Sequence, residues 1–363
     1  MNNTISYIIL NDKQITFTDS SILLAEKRNN PFTPEWEKEL YLFLNEWFSD
    51  SDFVLAQTSG STGEPKSIEL PKSLMVKSAE RTIQYFGLQR GDRLLLSLPC
   101  RYIAGKMMVV RAIVGQMNLI PVDPAGDFDF LSHELFDFGA MVPNQVLKLL
   151  QQPSGKEKLE NIRNLLVGGS AITSALEAQI NRLSNRVVST YGMTETASHI
   201  AIRELSGKRK SDVYQCLPGI TISLSEDRRL QIHLPELNEI LQTNDFAELQ
   251  SDTSFRINAR ADSVLISGGI KYSPEGIEKK LEGIMISRFV ISSLPDEKLG
   301  EKLVLVIEGK HSPAELIQQK IKDLLPPFEQ PKSIVFLETF PETDSGKLNR
   351  NKIKQVILTQ QKQ

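Results

Sequence analysis

The chain has 363 residues, too many for one small binding module, and its composition, 40% hydrophobic and 24% charged, excludes a mostly disordered or fibrous polymer. Basic and acidic side chains, 42 against 45, leave a formal net charge of −3, so no global field draws the protein to nucleic acid or an anionic membrane. Two or three subdomains are expected, with core enough to fold without disulfides or metals.

In chain order, the first apolar run, Tyr7 to Leu10, is too short for a signal peptide and has no basic stretch before it. Lys72 to Phe86 carries apolar residues at helical spacing, and Arg93 to Ser97 reads as a buried strand. Met107 to Val122 is the most apolar long stretch, but Arg111 and Gln116 interrupt it, so no membrane span is expected. Strands are expected at Met117 to Val122, Asn164 to Val167 and Arg186 to Ser189, with a helix at Asn144 to Gln152. This alternation predicts an α/β fold with parallel strands.

After about residue 210 the pattern changes. Ile220 to Leu224 and Leu230 to Leu234 alternate, as antiparallel strands with one solvated face do. A boundary is expected near Arg260, giving a core domain over 1–259 and a smaller α+β domain over 260–363. Within the latter, helices are predicted at Pro274 to Leu281 and Pro313 to Leu325, and strands at Lys302 to Glu308 and Ser333 to Leu337. The glutamine-rich end, Gln360 to Gln363, is expected to fray.

The cysteines Cys100 and Cys216 can build neither a disulfide framework nor a multi-cysteine zinc site, and a reducing, cytoplasmic setting fits them. The histidines, His133, His199, His233 and His311, show no metal-ligand spacing, and no basic stripe interleaves with aromatics to suggest a nucleic-acid partner. The sequence is compatible with a homo-oligomer.

Thr58-Ser59-Gly60-Ser61-Thr62-Gly63-Glu64-Pro65-Lys66 packs four hydroxyls, two glycines and a lysine into nine residues. Glycines let backbone N–H groups converge on phosphate oxygens, hydroxyls donate further bonds, and the lysine supplies charge. A Walker A loop is excluded, because Pro65 precedes Lys66 where that motif has glycine. The run resembles the phosphate loop of the acyl-adenylate-forming superfamily, T-S-G-[ST]-T-G-x-P-K, at every fixed position.

Further motifs of that superfamily follow in order. Val167-Gly168-Gly169-Ser170-Ala171 resembles its adenine-flanking turn, and Tyr191-Gly192-Met193-Thr194-Glu195 its Y-G-x-T-E. The resemblance implies that Tyr191 stacks on adenine, Thr194 contacts the α-phosphate and Glu195 binds Mg²⁺. Thr243-Asn244-Asp245 is similar to the T-G-D whose aspartate binds the ribose hydroxyls, with Asn244 in place of glycine at what would be a turn. Arg260 and Asp262, followed by Gly268-Gly269, resemble the hinge region: Arg260 would contact ribose, Asp262 would be the pivot, and the glycines would line a pantetheine channel. Ser263 replaces the second hinge aspartate. Pro341 to Arg350 matches the superfamily's P-x-T-x-S-G-K-[IL]-x-R, and the resemblance implies that Lys347 is the adenylating lysine of a mobile domain.

The resemblance therefore implies a large adenylate-forming domain, with mixed sheets, flanking helices and a small antiparallel subdomain, followed by a small mobile α+β domain. It implies ATP, Mg²⁺ and CoA as reactants and cofactors. Pro99-Cys100-Arg101-Tyr102-Ile103-Ala104-Gly105-Lys106 brings two cations to the expected acyl pocket, which suits a dicarboxylate better than a fatty acid. That stretch and the chain length are similar to compact o-succinylbenzoate:CoA ligases of menaquinone synthesis, with Arg101, Tyr102, Gly105 and Lys106 on the substrate. A salt bridge or a basic rim for CoA phosphates is the open alternative for Arg101 and Lys106. A ligase for another aryl or short-chain acid, or one loading a carrier protein, is the alternative activity. A noncatalytic adenylate binder would have no use for a mobile lysine.

Overall fold

A computed structural model describes residues 6–57, 67–261, 264–285, 287–309, 314–342 and 348–360. The chain begins with a hairpin of β1 (Tyr7–Leu10) and β2 (Lys13–Thr16), then two helices, α1 (Phe17–Asn29) and α2 (Glu35–Phe48). Helix α1 starts where Thr16 and Asp19 form a reciprocal capping box, which satisfies two otherwise orphaned amides. A second hairpin, β3 (Phe53–Gln57) and β4 (Ser67–Pro71), leads into α3 (Lys72–Phe86), which ends at Gly87 in the left-handed conformation.

There follow β5 (Arg93–Leu96), α4 (Ile103–Gly115), β6 (Asn118–Pro121), β7 (Phe136–Met141), α5 (Pro143–Leu150), α6 (Gly155–Glu160), β8 (Ile162–Val167), α7 (Ser174–Ile180), β9 (Arg186–Gly192), β10 (His199–Glu204) and β11 (Tyr214–Cys216). Strands β9, β8, β7, β5, β6 and β1 lie side by side and pair in parallel. β10 and β2 pair antiparallel at the two ends of that run. Leu94, Leu95 and Leu96 are consecutive yet all buried, so both faces of the parallel sheet are covered.

The remaining elements are β12 (Thr221–Leu224), β13 (Arg229–His233), β14 (Leu241–Ser251), β15 (Ser254–Arg260), β16 (Leu265–Ser267), β17 (Ile270–Tyr272), α8 (Pro274–Leu281), β18 (Phe289–Asp296), β19 (Gly300–Glu308), α9 (Ala314–Leu324), β20 (Ser333–Leu337) and α10 (Arg350–Gln360). β13 buries Leu230 and Ile232 and leaves Arg229, Gln231 and His233 half-exposed, the alternation expected of a one-sided antiparallel strand. β18, β19 and β20 form a sheet whose central strand turns Leu303, Leu305 and Ile307 toward α8 and α9. Val304 and Val306 face Ile353 and Ile357 of α10. Burial on both faces of β19 gives this small sheet a core of its own.

By contact density the chain divides into two compact units, one of Met1–Ala171, Ala178–Thr221 and Leu234–Glu239, the other of Ile172–Glu177, Ile222–His233 and Ile240–Gln363. The boundary expected after Ala259 falls inside the second unit, at the end of β15. The α/β class holds, with parallel strands first and antiparallel strands after. Helix α4 was not legible as a helix: nine of its residues are buried, including Gly105 through Ile113 without a break, so no polar face marks its period.

Candidate active site

Parallel strands deliver their carboxyl ends to one edge of a sheet, where side chains can converge on a ligand. Ser97 to Lys106 leaves β5 at that edge, Gly168 to Ala171 leaves β8, and Tyr191 to Glu195 closes β9. Topology therefore brings Ser97 to Lys106, Gly168 to Ala171 and Tyr191 to Glu195 of the first unit to one edge.

Close packing explains the glycines. A Cβ on Gly168 would collide with the Thr190 hydroxyl, one on Gly192 with the Ser198 carbonyl, and one on Gly105 with the Pro99 carbonyl. Gly169 has a φ of +88°. Tyr191 lies 5.9 Å, centroid to centroid, from Tyr214, and Tyr214 shares a 3.0 Å hydrogen bond with Ser189. Thr194 to Thr196 form one 3-10 turn, fixed as Met193 N–H donates to Thr196 Oγ1 (3.1 Å) and that hydroxyl donates to the Ser198 carbonyl (2.6 Å). Glu195 is half-buried and makes no ion pair with the described residues. Among those residues no three acidic, histidine or cysteine side chains cluster as a metal site. A single open carboxylate fits Mg²⁺ completed by phosphate oxygens and water.

The two cations of the acyl segment differ. Arg101 is nearly half-exposed, 3.7 Å from Glu39, with its guanidinium 4.9 Å over the Tyr102 ring. Lys106 is 6% exposed, and its ammonium donates to Glu46 (2.9 Å) and the Leu55 carbonyl (2.8 Å) above the Phe43 ring. Of the readings open for Lys106, the structure fills the salt bridge. Two of the three donors of its ammonium are taken by protein partners.

Arg111, read in the sequence only as a break in an apolar run, carries the more informative charge. It is 2% exposed, and its guanidinium donates to Ser198 Oγ (2.7 Å) and reaches His199 Nδ1 at 3.5 Å. Its Nε has no partner, and no carboxylate among the described residues pairs with it. Burial pulls its pKa down to about 9, so it remains charged at neutral pH. Burial, with Arg111 beside it, pushes His199 well below the ordinary histidine value, and Thr82 Oγ1 lies 3.3 Å from its Nε2. The missed signal was a charge inside a helix apolar all round.

In the second unit, Asp245 and Arg260 face each other across β14 and β15, 3.4 Å apart. Asn244 sits within β14 at ordinary strand geometry, which corrects the expected turn: no left-handed residue is needed there, so asparagine costs nothing. Gly268 and Gly269, at φ +57° and +80°, form the two-residue turn between β16 and β17. That turn by itself requires glycine-like conformations at both positions. Glu342 bridges Leu348, and Arg350 grips Glu278 through two bonds of 2.7 and 2.6 Å. Thr58, Ser59, Gly60, Ser61, Thr62, Gly63, Lys66, Asp262 and Lys347 lie outside the described residues. Among the described residues no helix is long and apolar enough to cross a membrane.

Residues 15–232 match the AMP-binding enzyme family. The chain is 24% identical over 320 residues to a 2-succinylbenzoate–CoA ligase of Lactococcus lactis, covering 83% of this chain and 70% of the relative. It is 23% identical to an indoleacetate–CoA ligase of Aromatoleum aromaticum, covering 84% and 67%. Among solved structures, an acyl-CoA synthetase (AMP-forming)/AMP-acid ligase II-like protein of Dyadobacter fermentans is 33% identical and superposes with a TM-score of 0.59, covering 92% of this chain and 97% of that one. With its glycine-lined turns and its Tyr191-to-Glu195 segment at the carboxyl edge of a parallel sheet, the chain belongs to the AMP-binding enzyme family.

Proposed function

We propose that this enzyme activates 2-succinylbenzoate as its acyl-adenylate and transfers the acyl group to the thiol of CoA. In the first step a carboxylate oxygen attacks the α-phosphorus of ATP, and the bond to the bridging oxygen breaks to release pyrophosphate. In the second the thiolate attacks the acyl carbon and AMP leaves. Bound Mg²⁺ supplies positive charge against the phosphates.

The chain's residues have separate tasks in this reading. Tyr191 offers a face to adenine, Gly169 to Ala171 let the base lie against backbone, and Thr194 donates to the α-phosphate. Asp245, acceptor-only, takes the ribose hydroxyls with Arg260 beside it. Thr58 to Lys66 cradle the phosphates, and Lys347 neutralises the charge developing between the reacting anions. Residues 260–363 turn about Asp262 between the two steps, withdrawing Lys347, while Gly268 and Gly269 border the path of the thiol. Glu195 holds the metal.

One observation supports the dicarboxylate in particular: Arg111, a buried cation with an unpartnered Nε and no carboxylate facing it among the described residues. A charge in that position costs several kcal/mol of hydration unless an anion completes it. The second carboxylate of 2-succinylbenzoate is such an anion, and Arg101, half-exposed at the start of the same segment, guides it in.

ATP–pyrophosphate exchange tests the reading. Exchange should depend on 2-succinylbenzoate and be weak with benzoate, indoleacetate or a fatty acid. Equal stimulation by a monocarboxylate would remove the dicarboxylate assignment, and no exchange with any acid would remove adenylation. Lys347→Ala should abolish exchange yet spare thioester formation from supplied acyl-adenylate.

A further inference from the structure

A single file of polar groups leads away from Arg111 into the protein. Arg111 Nη2 donates to Ser198 Oγ (2.7 Å), Ser198 Oγ lies 3.2 Å from His199 Nδ1, and His199 Nε2 lies 3.3 Å from Thr82 Oγ1. Thr82 Oγ1 in turn donates to the Ser78 carbonyl, one turn back in α3 (3.1 Å). Ser78, Thr82 and His199 are all buried, so water offers these bonds little competition.

The two ends of the file fix its direction. A guanidinium offers hydrogens and no lone pair, and a backbone carbonyl offers lone pairs and no hydrogen. Every group between them must therefore point its hydrogen the same way, from Arg111 toward Ser78. Ser198 accepts from Arg111 and donates to Nδ1, and the imidazole carries its hydrogen on Nε2 and donates to Thr82. The other tautomer would set an Nδ1 hydrogen toward Arg111 Nη2, 3.5 Å away, donor against donor. Burial and that guanidinium hold the ring neutral, well below the ordinary histidine value, so Nδ1 keeps its lone pair.

The backbone is bent to bring two neighbours onto one cation. Adjacent residues of a regular strand face opposite ways, yet Ser198 and His199 both reach Arg111. Ala197, immediately before them, has a φ of +60°, uncommon for a residue with a Cβ, and the pairing of β10 with β9 slips register between His199 and Ala201. Such strain persists only where the surroundings hold it.

We propose that Thr82 and His199 are positioning residues for the acid: by fixing the imidazole tautomer they hold Ser198 as an acceptor for Arg111, tethering Nη2 to the protein and leaving Nε for the substrate's second carboxylate. Nη1 meets only the Met108 sulfur, at 3.7 Å, so the file is what orients the guanidinium. This rests on the proposed role of Arg111 and deepens it, because specificity then depends on a hydroxyl of α3 that lies beyond the imidazole from the guanidinium.

The test reads ATP–pyrophosphate exchange against 2-succinylbenzoate and, separately, the imidazole nitrogens of the substrate-free protein by nitrogen NMR, with the His199 signals assigned by their loss in His199→Gln. Thr82→Val keeps the branched shape and removes the hydroxyl. It should raise the KM for 2-succinylbenzoate about fivefold, the scale of one neutral hydrogen bond, with kcat and the KM for ATP within about twofold. Thr82→Ser should restore the KM. In the spectrum the unsubstituted chain should carry the His199 hydrogen on Nε2 alone, and Thr82→Val should show a mixture of tautomers. A hydrogen on Nδ1 in the unsubstituted chain would overturn the proposal outright. A KM for 2-succinylbenzoate unmoved by Thr82→Val would do the same, and an equal rise in the KM for ATP would show that the file braces the Tyr191-to-Thr196 turn instead. If Thr82→Val does not fold, His199 carries the test. His199→Gln can span the same two partners with its amide and should keep the KM within about threefold, whereas His199→Leu should raise it about tenfold. Equal values for the two would refute the relay. Absence of exchange with 2-succinylbenzoate in the unsubstituted chain, with the Nε2 tautomer found, would instead strike the substrate reading on which this one stands.

Discussion

Helix α4 buries two cations, one near each end, and they are used in opposite ways. Lys106, in the first turn, has a carboxylate, a carbonyl and an aromatic face around it. Arg111, further along, has a hydroxyl, a neutral imidazole and a thioether, with one nitrogen left over. A buried ion whose counter-ion the fold supplies is structural, whereas Arg111, with no counter-ion among the described residues, is the one proposed to meet the substrate carboxylate. The comparison also separates two effects that a sequence alone merges, since both residues are simply basic positions in one apolar segment.

The largest expected effect breaks the comparison at Arg111. Arg111→Leu should lower kcat/KM for 2-succinylbenzoate in the adenylation step by roughly a hundredfold or more, the scale of removing one partner from a buried charge pair. Activation of a monocarboxylate such as indoleacetate should change little. An equal loss with every acid would show that Arg111 serves instead to brace the Tyr191-to-Thr196 turn through Ser198.

Stability sharpens the same contrast. Lys106→Met strands the Glu46 carboxylate and the Leu55 carbonyl, and should cost about 2 kcal/mol in urea unfolding; the partial exposure of Glu46 keeps the figure below that of a fully buried pair. Arg111→Leu strands no anion and fills the same space with hydrocarbon, so it should be neutral or stabilising by up to about 1 kcal/mol in the substrate-free protein. If Arg111→Leu were the more destabilising of the two, the reading of Arg111 as a held-open site would fail.

Much of this was legible in the chain. Helix α3 and helix α8 have the bounds their apolar spacing and caps predict, and β20 does as well. The glycine turns after β8 and within β9 were visible because only close packing or a left-handed φ calls for glycine there. What could not be read were properties of partnership. Whether Lys106 meets substrate or a salt-bridge partner stayed open in the sequence because Glu46 lies sixty residues away, and only the fold brings it near. Asn244 looked like a strained turn because the motif it resembles has glycine, whereas β14 carries it in extended geometry. Hairpin β3–β4 went unread because its edge is completed by side chains from two helices, which leave no periodic trace. Helix α4 was hidden by its own burial.

The smallest effect concerns pH and tests whether Arg111 and His199 share one buried pocket. Facing His199 are Arg111 from α4, Thr82 from α3 and Ser198 beside it in the chain, with no carboxylate among them. Burial and the neighbouring guanidinium both disfavour the imidazolium, so the folded state keeps this histidine neutral below the pH at which the unfolded chain begins to protonate it. The unfolded state then binds more protons, and stability must fall as pH drops beneath the unfolded value of about 6.5. The slope attributable to one such group is at most about 1.4 kcal/mol per pH unit, and it ends at the folded pKa. Above pH 7 the contribution is fully present and flat. Urea unfolding at pH 7.5, 6.5 and 5.5 should therefore show a steeper loss for the unsubstituted chain than for His199→Gln, which keeps a hydrogen-bonding side chain but cannot titrate. In Arg111→Leu alone the acid sensitivity should shrink, because one of the two forces holding the imidazole neutral has gone. If it is unchanged, burial alone accounts for the neutral histidine, and Arg111 exerts no field on the pocket that the proposed substrate carboxylate would share.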